Sequence, residues 1–143
     1  MSELPPIARD QRKIDANHLN LLAIFHFVGA ALAIFGVLFL LVHYTIMHAV
    51  FTNPEFWQNQ KQGPPPEQIF AMFKWFYVLG GLWFLLSGVL NVISGFCLRA
   101  RKCRTFSLIV AGINCLHVPL GTVLGVFTMV VLVRDSVQEL YQN

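Results

Sequence analysis

Between Leu19 and Val42 the chain reads LNLLAIFHFVGAALAIFGVLFLLV, 24 residues without Asp, Glu, Lys or Arg. About 20 such residues are enough for a helix to cross the hydrocarbon core of a bilayer. A soluble helix shows one apolar stripe, whereas this run is apolar on every face. It therefore predicts a spanning helix. The apolar character continues through HYTIMHAVF to Phe51, so a helix over 19-50 tilts or projects beyond the bilayer. Composition agrees with lipid as the solvent: 56% hydrophobic and 12% charged residues would leave a soluble chain of 143 residues with more apolar surface than it could hide. The mean hydropathy is +0.61.

A second apolar run follows Glu67 and Gln68, passes Trp75, Phe76 and Tyr77 at the level of the headgroups, and continues uncharged to Leu98. The third, Thr105 to Val133, has 29 residues and is interrupted by His117, Val118 and Pro119. Proline removes a backbone donor and disfavours helical geometry in the residue before it, which makes Pro119 a helix break. The expected fold is all-α, a polytopic membrane helical bundle of two long spanning helices plus a Pro-broken pair of shorter ones. Its four helical segments are 19-50, 68-98, 105-118 and 120-133, within a transmembrane region 19-133. Residues 1-18 form a polar cytoplasmic segment in which Asp15 or Asn17 caps the first helix. Pro54 and the run Gly63, Pro64, Pro65, Pro66 hold 51-67 as an external loop. Residues 134-143 are a C-terminal tail, a short interfacial helix end.

Charge orients the chain rather than marking a nucleic-acid surface. The formal net charge is +3, but Lys and Arg cluster between apolar runs with no aromatic interleaving. Seven of the ten basic residues fall in the N-terminal segment and in the turn Arg99, Arg101, Lys102, Arg104. The positive-inside rule then puts both in the cytoplasm, and a hairpin at Pro119 would return the C-terminus there as well. Anionic lipid binding by the same turn is the lesser reading, since orientation alone predicts its four positive charges. The mixed charges Arg9, Asp10, Arg12, Lys13 and Asp15 before a long apolar run argue against a cleaved signal and for a retained anchor. Three cysteines, Cys97, Cys103 and Cys115, give no disulfide framework and no zinc spacing.

Two stretches carry a resemblance: HLNLLAIFHFV at 18–28 and RTFSLIVAGINCLHVPLGTVLGVFTMVVLVRDSV at 104–137. In the second, Pro119, Gly121, Thr122, Leu124, Gly125, Phe127 and Thr128 match a P-x-G-T-x-L-G-x-[FY]-T pattern behind an Arg-rich turn. About half the chain thus resembles a group of small bacterial multi-pass membrane proteins without assigned function. The resemblance implies a bacterial inner (cytoplasmic) membrane protein and transfers no catalytic residue.

Small residues form the most ordered pattern. Gly81, Gly88 and Gly95 recur every seven residues, with Gly80, Ser87 and Ser94 at the preceding positions. Gly29, Ala33 and Gly36 repeat the theme in the first helix, and Gly121 and Gly125 form a GxxxG in the last segment. In lipid, helices associate through close backbone approach and interhelical hydrogen bonds, so these residues read as helix-packing positions, with Asn91 bonding across the seam. Packing within one bundle or contact between subunits would use the same residues.

Histidine offers the competing chemistry. His26 and His117 lie in apolar runs and could ligate a haem from two helices. At 1.5 Å per residue they sit about 10 Å and about 18 Å deep if both helices enter from one face, which opposes shared ligation. A neutral histidine bonded to a neighbouring Asn, Ser or carbonyl is the plainer reading. His43 and Met47, one turn apart, are weak copper candidates without further donors. No acidic residue lies in an apolar run, which disfavours proton-coupled transport. No nucleophile motif, P-loop or dinucleotide fingerprint appears. The expectation is a non-enzymatic membrane component without cofactor, either self-associating as a homo-oligomer or packed as a small subunit in a larger membrane complex. An oligomeric pore lined by Asn91, Asn114 and Thr122 is the alternative, and a haem-binding membrane protein the third reading.

Overall fold

The computed structural model describes residues 6–57 and 66–141, and every regular element among them is a helix. In chain order these are α1 (Pro6–Thr52), α2 (Pro54–Trp57), α3 (Pro66–Ala100), α4 (Arg104–Asn114), α5 (Leu120–Val133) and α6 (Asp135–Leu140). Two of them, α1 over Asp10–Thr52 and α3 over Gln68–Ala100, are long and apolar enough to cross a membrane, and α5 is a shorter apolar helix. Pro5, Lys61, Gly63, Pro64 and Pro65 lie outside the described residues.

The first helix corrects the sequence reading at its N-terminal end. Neither Asp15 nor Asn17 caps it, because α1 already runs from Pro6. Proline at the first helical position loses nothing, since that N–H has no intrahelical acceptor. From Ile7 onward Ala, Arg, Gln and Lys dominate, with no breaker before Asn53. Asn53 ends α1 and caps α2: its Oδ1 accepts the Glu55 N–H at 3.0 Å. The expected external loop thus contains the four-residue α2, with Pro54 at its first position.

At the other end of α3 the chain reverses through a left-handed residue. Arg101 has φ 52°, the Arg101 N–H donates to the Leu98 carbonyl at 3.2 Å, and the Lys102 N–H donates to the Cys97 carbonyl at 2.9 Å. This pair of bonds is a Schellman closure, which consumes two carbonyls that a helix end leaves unpaired. α4 then ends at Asn114, four residues short of the expected 118. Val118 precedes Pro119 and is pushed out of helical geometry. Pro119 also leaves the carbonyl of Cys115 without its usual donor, and the Thr122 hydroxyl donates to that carbonyl at 2.9 Å.

The chain divides into two units, Met1–Ala31 with Ser87–Asn143, and Leu32–Leu86. In the first, α1 turns inward Asp15, Leu19, Leu22, Ala23, His26 and Ala30, at helical three- and four-residue spacing. Leu98 of α3, Val131 and Leu132 of α5 and Val137 of α6 join Leu19, Leu22 and Ala23 in one apolar cluster. α4 and α5 pack side by side as a hairpin. Their start and finish are tied, because the Arg104 Nε–H donates to the Leu132 carbonyl at 2.8 Å. Asp15, fully buried, faces Arg134 at 3.8 Å and accepts from Gln11 Nε2 at 3.2 Å. The N-terminal turns of α1, the start of α4 and the end of α5 therefore meet at one end of this unit.

The second unit is aromatic. His43, Tyr44, His48, Phe51, Phe70 and Tyr77 form a chain of ring contacts, and Trp57 stacks on Phe51 at 5.3 Å. The Trp57 indole N–H donates to the Val50 carbonyl at 3.0 Å, which fastens α2 onto the end of α1.

Glycine placement follows helix geometry. A Cβ at Gly36 would sit 2.9 Å from Phe84, and one at Gly95 would sit 2.8 Å from Phe27, so each glycine is the socket for a ring. Gly29 faces Asn91, Ala33 is buried, and Gly88 is buried between Ser87 and Val89. Side chains at Gly121 and Gly125 would overlap the carbonyls of Asn114 and Ala111, which marks where α4 and α5 come closest. Gly81 departs from the expected stripe: a Cβ there would meet nothing within 4 Å, while its neighbour Gly80 contacts Leu40. Gly125→Leu is expected to lower thermal stability steeply, by the 1–3 kcal/mol or more typical of roughly one overpacked side chain. Gly81→Leu is expected to leave it unchanged, and equal loss in a melting assay would contradict this packing.

Candidate functional site

The inward faces of the first unit carry polar side chains among apolar helices. His26 on α1, Asn91 on α3, Asn114 on α4 and Thr128 on α5 are all buried. Each recurs at helical spacing with buried neighbours: Ala23 and Ala30 beside His26, Ser87 and Ser94 beside Asn91, Ala111 beside Asn114, Gly125 and Val131 beside Thr128.

Asn91 is the hub. Its Nδ2 donates to the Ser87 carbonyl at 2.9 Å and to Asn114 Oδ1 at 2.9 Å. Its Oδ1 accepts from Asn114 Nδ2 at 2.8 Å and lies 2.8 Å from His26 Nδ1. The Ser87 carbonyl can only face a donor, so it fixes which way the Asn91 amide points. Oδ1 is then turned to His26, and Nδ1 must carry the imidazole proton. The other ring nitrogen, Nε2, is 3.3 Å from Thr128 Oγ1, whose hydroxyl also reaches the Leu124 carbonyl at 2.8 Å. One hydroxyl proton thus serves two acceptors, with the shorter bond going to the backbone.

Ser94 and Ser107 are fully buried on the same inward faces, and their hydroxyls have no hydrogen-bond partner among the described residues. They lie on the side of the network toward the turn between α3 and α4. At that end Tyr141 Oη is also buried without such a partner. Burial, ahead of the neighbouring Cys97, pushes the Tyr141 hydroxyl up to about 12 against the pull of Arg104 and Arg101.

The histidine candidates separate. His26 uses both ring nitrogens within the protein, so haem ligation there would break existing contacts. His117 sits half-buried in the turn before Pro119, where its carbonyl accepts from Gly121 and Thr122. In the second unit His43 Nδ1 is 2.8 Å from Tyr77 Oη and its ring stacks on Phe39, while Met47 is half-buried one turn on. Among the described residues no three His, Cys, Asp or Glu side chains gather as a metal site. Of the basic turn, Arg99, Arg101 and Lys102 are exposed, and Arg104 is partly buried on the α5 carbonyl. Sequence reasoning missed Thr128 and Asp15 as interior residues. Helical spacing offered the signal, since Thr128 follows Gly121 and Gly125 on one face, and Asp15 precedes Leu19 and Leu22.

No protein-family model matches the chain, and neither a curated protein nor a solved structure does.

Proposed function

We propose that the chain is a non-enzymatic integral membrane bundle, either self-associating or a small subunit of a larger membrane complex. One observation carries the reading. The described surface is dominated by large apolar side chains such as Ile34, Phe35, Phe76, Leu79, Val123 and Phe127, while the interior holds the His26, Asn91, Asn114 and Thr128 network. That is the reverse of a soluble protein and the arrangement lipid requires. The polar groups then serve as interhelical bonds, since a membrane interior offers no hydrophobic drive between helices.

The pore reading fares less well. All four hydrogen-bonding positions of the Asn91 amide are taken within the chain, so it could line an ion path only by leaving its partners. The catalytic reading rests on one weak contact: the Thr128 hydroxyl lies 3.3 Å from His26 Nε2 but bonds the Leu124 carbonyl at 2.8 Å, and both side chains are buried. With most small residues committed to contacts inside the chain, association with other chains falls to the outer apolar faces. In native lipid particles the measured protein mass should exceed the 16.2 kDa of one chain. A mass of one chain alone would refute the assembly reading.

The same proposal includes the bacterial inner membrane, with the N-terminus, the basic turn and the C-terminus in the cytoplasm. Supporting it are the positive charges of the turn and the convergence of Asp15, Arg104 and Arg134 at one end of the first unit. A reporter active only in the periplasm, fused after Asn143, is expected to stay silent. Activity there would mean that the α4 and α5 pair does not return to its starting side.

A further inference from the structure

At the end of the first unit where the N-terminal turns of α1 meet α5 and α6, several arginines are already engaged within the chain. Arg134 faces the buried Asp15 at 3.8 Å, Arg12 pairs with Glu139 at 3.7 Å, and the Arg104 Nε–H donates to the Leu132 carbonyl. Arg99, Arg101 and Lys102 differ. All three are exposed, and none has an ion pair among the described residues. The structure thus divides the basic turn into one arginine that closes the α4 and α5 pair and three cations left uncompensated. The backbone that carries these cations is fixed. The Arg101 and Lys102 N–H groups close the end of α3 on the Leu98 and Cys97 carbonyls, and Arg101 is held at φ 52°, where an L side chain is disfavoured. A fixed backbone lowers the ordering cost of presenting several charges to one ligand. The helix that leads into the turn supplies a second feature. Val89, Val92, Phe96 and Arg99 follow at three- and four-residue spacing on one face of α3, and all four are exposed. An apolar strip therefore runs along the helix and ends in a guanidinium.

We propose that this face binds an anionic glycerophospholipid, with its phosphodiester held by Arg99, Arg101 and Lys102 and an acyl chain lying along Val89, Val92 and Phe96. The site rests on the membrane reading above and is independent of the assembly state. Guanidinium groups offer a phosphate parallel N–H donors, and basic residues beside a spanning helix attract anionic headgroups. A free phosphate would use the cations and leave the apolar strip without a role, whereas an amphiphile with a phosphate at one end matches both. Phosphatidylcholine carries the same phosphate, but its own choline cation offsets the charge. Phosphatidylglycerol has no such cation and is the better fit. Charge that served only to orient the chain would act through its sum, so any exposed cation at this end would count equally. A binding site instead depends on these three residues.

The test places the full-length chain in nanodiscs of equimolar phosphatidylglycerol and phosphatidylcholine with matched acyl chains. Both leaflets then carry the same lipids, so a variant that inserts in the opposite direction gives the same reading. Lipid that stays on the protein after gas-phase release from the disc is identified by its mass. Phosphatidylglycerol should be retained over phosphatidylcholine by about tenfold or more. Each of Arg99→Gln, Arg101→Gln and Lys102→Gln should lower that preference by about fivefold, the order of one basic residue's attraction at a membrane surface, and the triple variant should abolish it. Lys13→Gln and Lys74→Gln, which remove exposed cations on α1 and in the first half of α3, should leave it unchanged. Excess inorganic phosphate should not displace the lipid. Equal retention of the two lipids by the parent chain, an unchanged preference in the triple variant, an equal loss in Lys13→Gln or Lys74→Gln, or displacement by inorganic phosphate would overturn the proposal. A chain that stays in solution and enters no nanodisc would overturn the membrane reading itself, and the site with it.

Discussion

The Asn91 amide has two N–H donors and a carbonyl with two lone pairs, and four groups of the same chain occupy them. A buried amide left without partners costs several kcal/mol in apolar surroundings, roughly 2–7 by transfer measurements. Asn91 escapes that cost only while α1, α3 and α4 hold one rotation and one depth relative to each other. Through His26 the requirement extends to Thr128, so all four principal helices of the first unit are registered by a single connected set of bonds. Apolar packing between helices is tolerant of sliding, whereas a saturated amide is not. The network therefore gives the unit specificity, and small residues give it the close approach that makes such bonds short.

Close approach has its own physical basis in the turn at Pro119. Proline ends α4 early, Thr122 restores the carbonyl that proline leaves unmatched, and the glycines at 121 and 125 let α5 lie against the α4 backbone. Arg104 then closes the far end of the pair on the Leu132 carbonyl, where a cation suits the negative end of a helix. At the same end, the fully buried Asp15 carboxylate beside Arg134 connects the N-terminal turns of α1 to the end of α5. Its second oxygen, Oδ2, has no hydrogen-bond partner among the described residues, so the pairing with Arg134 carries much of its burial.

Much of this was readable from residue order, and the rest was hidden for definable reasons. Uncharged runs of sufficient length reveal α1 and α3, because helices long and apolar enough to cross a membrane are legible in composition alone. Proline and glycine locate the break at Pro119 because their backbone constraints are local. Asn91 stands out in the sequence because an amide in an apolar run must find a partner, but which partner depends on helix rotation, and Asn114, 23 residues away, could not be picked from other polar residues. The start of α1 was misread because Asp15 and Asn17 have the chemistry of caps, whereas nothing in the preceding residues stops a helix. The glycine heptad does not by itself reveal contact, since a neighbour must also come close and nothing lies within 4 Å of a side chain placed at Gly81. The reversal between α3 and α4 depends on a left-handed arginine, a conformation that sequence does not announce at a non-glycine position.

The central claim is that side-chain hydrogen bonding between Asn91 and Asn114 fixes the register of the first unit. A double-mutant cycle on thermal stability in lipid nanodiscs, with Asn91→Leu, Asn114→Leu and the pair together, measures that coupling separately from packing changes at either site. Reciprocal amide bonds predict a favourable coupling of roughly 0.5–2 kcal/mol, the range found for polar contacts between membrane helices. Strictly additive losses would contradict the account and leave apolar packing alone to set the register.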